Sequence, residues 1–381
     1  MTPLAGLKVV ELARVLAGPW AGQTLADLGA EVIKVEAPAG DDTRRWGPPF
    51  VEREGDRSAA YFHCCNRGKK SVTADFQTEQ GRALVHRLVR DADVLIENFK
   101  VGGLKKYGLD YDSLAAINPR LIYLSITGFG QDGPYAARPG YDFIVQGMCG
   151  LMSVTGDPDG HPQKVGVALT DIFTGIYGVT AVLAALHQRQ RTGRGQHIDM
   201  SLLDVGTAIM SNQALNYLVS GQPPVRLGNS HPNIVPYSTF DCADGWIIIA
   251  VGNDGQFRRL CELLGMAEIA DDPRFATNPE RVTHRAELTR LITERTVKRP
   301  KADLLAACEK AGVPAGPINH MDEVFADPQV IARGLRIAPQ GIPGVRSPFV
   351  FSGAELSLDR PSPRLGENDP EFEAEIGEVR A

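Results

Sequence analysis

The side chain best suited to covalent chemistry in this sequence is Asp171. It ends a run of mostly small residues, Gly166-Val167-Ala168-Leu169-Thr170-Asp171, and opens the longest helical pattern in the chain. A carboxylate at a helix N-terminus is favoured in its ionised form by the macrodipole. Partly desolvated, it is a competent nucleophile toward an acyl carbon. The same position suits a plain N-cap residue, and the local residues leave both readings open. Gly175 and Gly178 follow inside the helix. Each costs about 0.8–1 kcal/mol relative to alanine, which implies close approach of another element or of a ligand.

Cationic residues gather in the first 140 positions: Arg44-Arg45, the run Arg67-Gly68-Lys69-Lys70, Lys100, Lys105-Lys106 and Arg138. A ligand with several phosphates needs such cations beside backbone N–H groups at turns and helix ends. Any one run also fits a solvated face. Together, on the loops of an α/β layer in an acidic protein, they suit an anionic ligand resembling a cofactor. Glu97-Asn98-Phe99-Lys100 directly follows a strand-like DVLI, and the carboxyl ends of parallel strands are where open α/β sheets bind ligands.

The elements that must position these groups follow from periodicity. Leu7–Leu12 reads as a buried strand, Trp20–Leu28 as a helix and Val32–Glu36 as a second strand, a unit of about 30 residues that implies a parallel sheet. Gly81–Arg90 reads as a helix, and Val94–Glu97 and Leu121–Thr127 as further strands. Asp171–Arg191 has apolar positions at helical spacing, and His197–Leu202 follows as a strand. Strands alternating with helices give a doubly wound α/β layer. The first strand–helix turn carries a single glycine, so the GxGxxG dinucleotide fingerprint is absent. After Gly221 the composition shifts. Tyr237–Phe240 and Trp246–Val251 then flank a turn and read as a hairpin. The domains expected are residues 1–224 (large), 225–325 (small) and 326–381 (a C-terminal segment returning to the large domain).

Composition narrows the class. The 381 residues carry 40 Lys+Arg against 46 Asp+Glu, a net charge of −6, which argues against a nucleic-acid binder. The six cysteines form no CxxC pair and no zinc-ligand spacing, which excludes a metal site of that type and suits reduced thiols. With no signal-peptide pattern and no uninterrupted apolar stretch of spanning length, a cytoplasmic protein without a membrane segment is expected.

The chain resembles the class III (formyl-CoA transferase-like, CaiB/BaiF) CoA-transferases along nearly its whole length. The segments that carry the likeness are LAGLKVVELARVLAGP, LGAEVIKVEAPAGDDTR, NRGKKSV, DVLIENFK, GYDFIVQG, VALTDIFTGIYG, TGRGQHIDMSLLD and GVPAGPIN. WGPPF, GNSHPNIVPY and GNDGQF resemble the succinate–hydroxymethylglutarate branch, which acts on dicarboxylic acids. The resemblance implies a Rossmann-like large domain plus a smaller α/β domain, in an open ring-shaped chain that interlocks with a second copy as a homodimer. It implies no tightly bound cofactor. Coenzyme A thioester is a substrate, exchanged between an acyl-CoA, with succinyl-CoA the expected donor, and a small carboxylic acid.

Residue by residue, the resemblance assigns Asp171 as the nucleophile that carries a covalent aspartyl–CoA intermediate. Val15 and Leu16 match the first strand–helix turn, which contacts coenzyme A. Formyl-CoA transferase has glutamine at the position of Leu16, so a polar contact is missing here. Asn98, Phe99 and Lys106 match positions around the coenzyme, and Tyr141 and Asp142 match the segment beside the active site. Arg67, Lys69 and Arg138, from the basic groupings, join the coenzyme set. Arg14, Arg45 and His231 are candidate cations for a distal carboxylate, and Tyr237 a hydrogen-bond donor to it. The competing readings are an acyl-CoA racemase or epimerase and a non-catalytic CoA-binding protein. Related racemases place histidine at the position of Tyr141, and tyrosine, with a reference pKa near ~10, is a poor base at neutral pH.

Overall fold

The computed structural model describes residues 1–372. Its chain divides into two compact units. The first comprises Met1–Leu151, Lys164–Gln222 and Pro328–Ala381, and the second Met152–Gln163 and Pro223–Asp327. Met152–Gln163 thus groups with the second unit, although its sequence offers no break from the residues around it.

The first unit is organised by a parallel sheet. β1 (Lys8–Glu11) leads through a tight turn into α1 (Ala17–Asp27) and returns as β2 (Glu31–Glu36). A small hairpin, β3 (Phe50–Arg53) with β4 (Asp56–Ala59), and the short helix α2 (Ala60–His63) precede β5 (Lys70–Thr73). Then come α3 (Glu79–Arg90), β6 (Val94–Glu97), α4 (Tyr111–Ile117), β7 (Ile122–Thr127) and α5 (Asp142–Met148). A one-turn helix α6 (Leu151–Val154) starts the excursion into the second unit. The chain returns to the first as α7 (Leu169–Thr192), β8 (His197–Ser201), α8 (Leu202–Ala208) and α9 (Ser211–Ser220).

The six strands lie in the order β5-β2-β1-β6-β7-β8, and every pair is parallel. Because strand side chains alternate between faces, a sheet covered on both sides needs apolar residues at consecutive positions. Val9, Val32, Ile96 and Leu124 face a core shared with Leu25 of α1 and Val179 and Val182 of α7. Their neighbours Val10, Ile33, Leu95 and Tyr123 face a second core with Val85 of α3 and Leu114 of α4. Among the described residues α7 alone is long and apolar enough to cross a membrane, and one face of it packs against α1 and β7.

The edge strand β5 is sealed by the end of the chain. Ser71 N–H donates to Asn368 Oδ1 (3.1 Å), Asn368 N–H to the Ser71 carbonyl (2.9 Å), and Thr73 N–H to Asp369 Oδ1 (2.7 Å). An open edge is a pairing template for other chains, and this segment occupies it.

The second unit is built on an antiparallel hairpin, β9 (Tyr237–Cys242) and β10 (Gly245–Ala250). Around it pack α10 (Asp254–Leu263), α11 (Asn278–Thr283), α12 (Arg285–Thr296) and α13 (Lys301–Ala311). β11 (Ala315–Pro317) completes the sheet beside β10. Its own core includes Phe240, Ile247, Phe257, Leu260, Ile292 and Leu304.

Candidate active site

The strand order reverses between β1 and β6, and such a switch point opens a crevice at the carboxyl ends of the strands. Asn98, just past β6, spans it. Its Oδ1 accepts the Arg14 N–H (2.9 Å) and its Nδ2 donates to the Arg14 carbonyl (2.6 Å). The next residue, Val15, has φ of +71°. A β-branched residue in the left-handed region is a true outlier, and such strain costs about 1–3 kcal/mol and persists only where the surroundings impose it. They do so here. The Val15 N–H donates to both carboxylate oxygens of Asp41 (3.4 and 3.3 Å), and the Val15 carbonyl accepts from the Cys65 thiol (3.5 Å).

Asp41 belongs to a buried ionic network. Lys34 Nζ lies 3.0 Å from Asp41 Oδ2 and 3.1 Å from Glu11 Oε1, and donates to the Ala13 carbonyl (2.8 Å). Lys69 Nζ pairs with Glu11 (2.8 Å) and donates to the Pro19 carbonyl and to Asn66 Oδ1, each at 2.8 Å. Burial alone would raise the Asp41 carboxyl, but the Lys34 charge and the Thr43 hydrogen bonds hold it below the usual carboxylate range. Burial works against charge on Lys34, which Glu11, Asp41 and Glu36 nevertheless keep above the ordinary lysine value. Buried charges persist only when paired in this way.

That principle corrects two residues of the coenzyme set. Lys69 is 1% exposed and committed to Glu11, and Arg67 is 4% exposed. Arg67 grips Asp27 through Nε (3.0 Å) and Nη2 (2.6 Å) and donates through Nη1 to the Val345 carbonyl (2.8 Å). Lys69 has all three of its N–H groups engaged, Arg67 holds its partners with three of its five, and neither lines the cavity described next. They are structural.

A pocket of about 450 Å³ opens at the switch point, and Val15, Leu16, Ala17, Asn98, Tyr141 and Asp171 are among its walls. Phe99, Lys106 and Arg138 line it too, so most of the coenzyme residues read from the sequence come together. The Arg138 guanidinium lies 3.9 Å from the Tyr135 ring centre, and Lys106 Nζ 4.7 Å from that of Tyr107. Arg14 also lines the pocket, paired with Asp42 (3.3 Å) and 5.6 Å from the Phe99 ring centre. Arg45 pairs with the same Asp42 (3.2 Å) and lies outside the lining.

Asp171 is the third residue of α7, because the helix starts two residues earlier, at Leu169. It is half-buried. Among the described residues its carboxylate has no ion-pair partner and no hydrogen-bond donor. Burial, and then the charge of Asp142, push its pKa up to about 7. The carboxyl therefore gains and loses its proton near neutrality, whereas the sequence reading favoured the ionised form. Asp142 does not line the pocket. It takes the Thr170 N–H (2.9 Å) and hydroxyl (2.7 Å) on Oδ1 and the Gln146 amide (2.7 Å) on Oδ2. It braces the first turn of α7 and acts on Asp171 through its charge. The structure adds Tyr61, whose phenol is raised by burial and then by the charge of Asp171, and which meets Trp46 edge-on at 5.3 Å. No local pattern marks it, because its setting arises only from tertiary approach.

His231 and Tyr237 belong to the second unit, with ring centres 5.2 Å apart. Burial and the nearby Arg285 lower the His231 pKa. A shift in that direction weakens its case as the cation for a distal carboxylate. Among the described residues no group of acidic, cysteine or histidine side chains has the arrangement of a metal site.

Comparison with known proteins places this geometry in context. The sequence profile of CoA-transferase family III matches residues 4–369. A succinate–glutarate CoA-transferase from Agrobacterium fabrum is 63% identical over 382 residues, covering 98% of this chain and 96% of that enzyme. The human succinyl-CoA:glutarate CoA-transferase is 42% identical over 380 residues, covering 98% of this chain and 86% of that one. The crystal structure of a CAIB/BAIF family protein from Brucella suis superposes with a TM-score of 0.90 at 64% identity, covering 98% of this chain and 99% of that chain.

Proposed function

This chain belongs to CoA-transferase family III, and from that premise we propose that it moves coenzyme A from succinyl-CoA to a dicarboxylic acid of the glutarate type, with Asp171 as the covalent carrier. The observation that carries the proposal is the Asp171 carboxylate itself. It lines the switch-point pocket and has no partner among the described residues, so its oxygens are available to an incoming carbonyl. The relatives named for succinyl and glutarate transfer supply the substrate class.

In the first step an Asp171 oxygen attacks the thioester carbonyl of succinyl-CoA. The carbon–sulfur bond breaks, leaving a mixed anhydride and the coenzyme thiolate. The thiolate then attacks the Asp171 side-chain carbonyl, succinate departs, and an aspartyl–CoA thioester remains. The acceptor carboxylate attacks that thioester, the thiolate leaves again, and its attack on the new anhydride yields acyl-CoA and restores Asp171. One thioester is exchanged for another, so the cycle consumes no ATP and needs no resident cofactor. Lys106 and Arg138 hold the coenzyme phosphates, Phe99 packs against the coenzyme, and Arg14 meets the distal carboxylate.

The active form is a homodimer of interlinked chains. Supporting this, apolar side chains lie open on the first unit: Phe173, Ile176 and Tyr177 on α7, and Phe143 and Ile144 on α5. A surface of that kind calls for a partner, and light scattering on the purified protein measures the assembly.

The deciding experiment incubates the protein with succinyl-CoA and reads intact mass. A coenzyme A adduct, released by hydroxylamine, is expected on the wild type and absent from Asp171→Ala. Undiminished succinyl-CoA:glutarate exchange in Asp171→Ala would sink the assignment.

A further inference from the structure

The turn between β1 and α1 is held at almost every polar group. Lys34 takes the Ala13 carbonyl, Asn98 takes both backbone groups of Arg14, and Asp41 and Cys65 take those of Val15. Lys69 takes the Pro19 carbonyl on the far side of the turn. Two of these contacts bear on the strained residue, whose φ is +71°: the Asp41 carboxylate at its N–H and the neutral Cys65 thiol at its carbonyl. Asp41 is itself immobilised. Its backbone N–H donates to Glu36 Oε2 (2.9 Å), and Arg44 clamps Glu36 through Nε (2.8 Å) and Nη2 (2.7 Å). Thr43 adds its N–H (3.0 Å) and hydroxyl (2.8 Å) to Asp41 Oδ1. Asp41 does not line the pocket, whereas Val15, Leu16 and Ala17 do, together with Asp171.

We propose that Asp41 is a positioning residue for coenzyme A transfer: by capturing the Val15 N–H it keeps Val15 left-handed, and so fixes the wall that Leu16 and Ala17 present to the pocket of Asp171. The inference rests on the reading of that pocket as the coenzyme site. A left-handed valine reverts to ordinary backbone angles once its anchor weakens, and the residues after it swing with it. Misplacement of a reacting group by about 1 Å can cost ~100-fold in rate. Glycine adopts the same angles without strain, so Val15→Gly removes the need for the anchor.

The test measures kcat and KM for succinyl-CoA:glutarate exchange in wild type, Asp41→Asn, Thr43→Val, and each of these combined with Val15→Gly. Asp41→Asn is expected to lose about 100-fold in kcat/KM, mainly in kcat, and Thr43→Val less. With Val15→Gly alone as the baseline, adding it should recover most of each loss in kcat per folded protein, and urea melts of the same variants separate this from the stability that glycine restores by relieving strain. Thr43→Val keeps every buried charge and decides the matter if Asp41→Asn fails to fold. Wild-type kinetics in the single variants, or double variants no faster than the singles, overturn the proposal. A wild-type protein inactive with every donor and acceptor counts instead against the transfer reaction, not against the coenzyme site. The positioning role is then decided by calorimetry of free coenzyme A on the same proteins, and equal affinities throughout would overturn it.

Discussion

At the scale of single residues, the chemistry turns on the proton of Asp171. Burial and Asp142 raise its pKa to about 7, against a reference near 3.9. The folded state therefore binds a proton that the unfolded state releases between those two values. The stability contributed by this group is present below about pH 4 and declines as pH rises through about 7. The nucleophilic carboxylate gains over the same interval. We expect kcat/KM to climb as pH passes through about 7, and the midpoint to move lower in Asp142→Asn, which removes the neighbouring charge but keeps an oxygen for Thr170. A pH–rate profile of the two proteins checks this, and an unmoved midpoint would show that Asp142 acts only as a brace.

At the scale of elements, the packing of α1 on α7 sets one side of the pocket. A Cβ on Gly175 would lie 2.8 Å from the Ala17 carbonyl and 3.1 Å from Trp20 Cδ1. The carbonyl is backbone at the start of α1 and cannot step aside, so Gly175→Ala should cost about 1–3 kcal/mol and lower activity with it. A Cβ on Gly178 meets only the Leu124 side chain, with Cδ2 at 3.0 Å and Cδ1 at 3.9 Å, the ends of a flexible group. There the better helix propensity of alanine, about 0.8–1 kcal/mol, offsets the crowding, and Gly178→Ala should melt near the wild type. Urea unfolding of both variants separates the two sites.

The same elements explain what could be read in advance. The strands and helices that place Asp171, Asn98 and the β1–α1 turn follow from local periodicity, because each buries its own apolar residues. Arg67 and Lys69 misled because their partners, Asp27 and Glu11, lie 40 and 58 residues away, so a run that looks like a solvated or ligand-binding patch becomes core. Val15 was legible as a turn residue but not as a strained one, since valine is the wrong residue for positive φ on local grounds. Only the Asp41 network explains it, and that network exists only after β1, β2 and the loop following β2 have met.

At the scale of the whole molecule, the chain leaves the first unit twice, at Met152 and at Pro223, and returns to it each time. The last returning segment supplies more than the cover on β5. Arg44 donates to the Pro363 carbonyl (3.2 Å), Gly68 N–H to that of Pro361 (3.3 Å), and Arg53 to Glu367 (2.9 Å). Each such bond is worth about 0.5–1.5 kcal/mol net. Deleting residues 358–381 should therefore remove several kcal/mol and leave β5 open to pairing with other chains. Thermal melts and sedimentation of the shortened protein should record a lower midpoint and aggregates.

This routing also imposes a schedule on synthesis. A ribosome releases the chain from its N-terminus, and domains generally fold as they emerge. Here the residues that close the first unit are translated after the entire second unit. The earliest strand of the nascent sheet to need a cover waits longest for it, and the second unit has all its parts in hand before the first does.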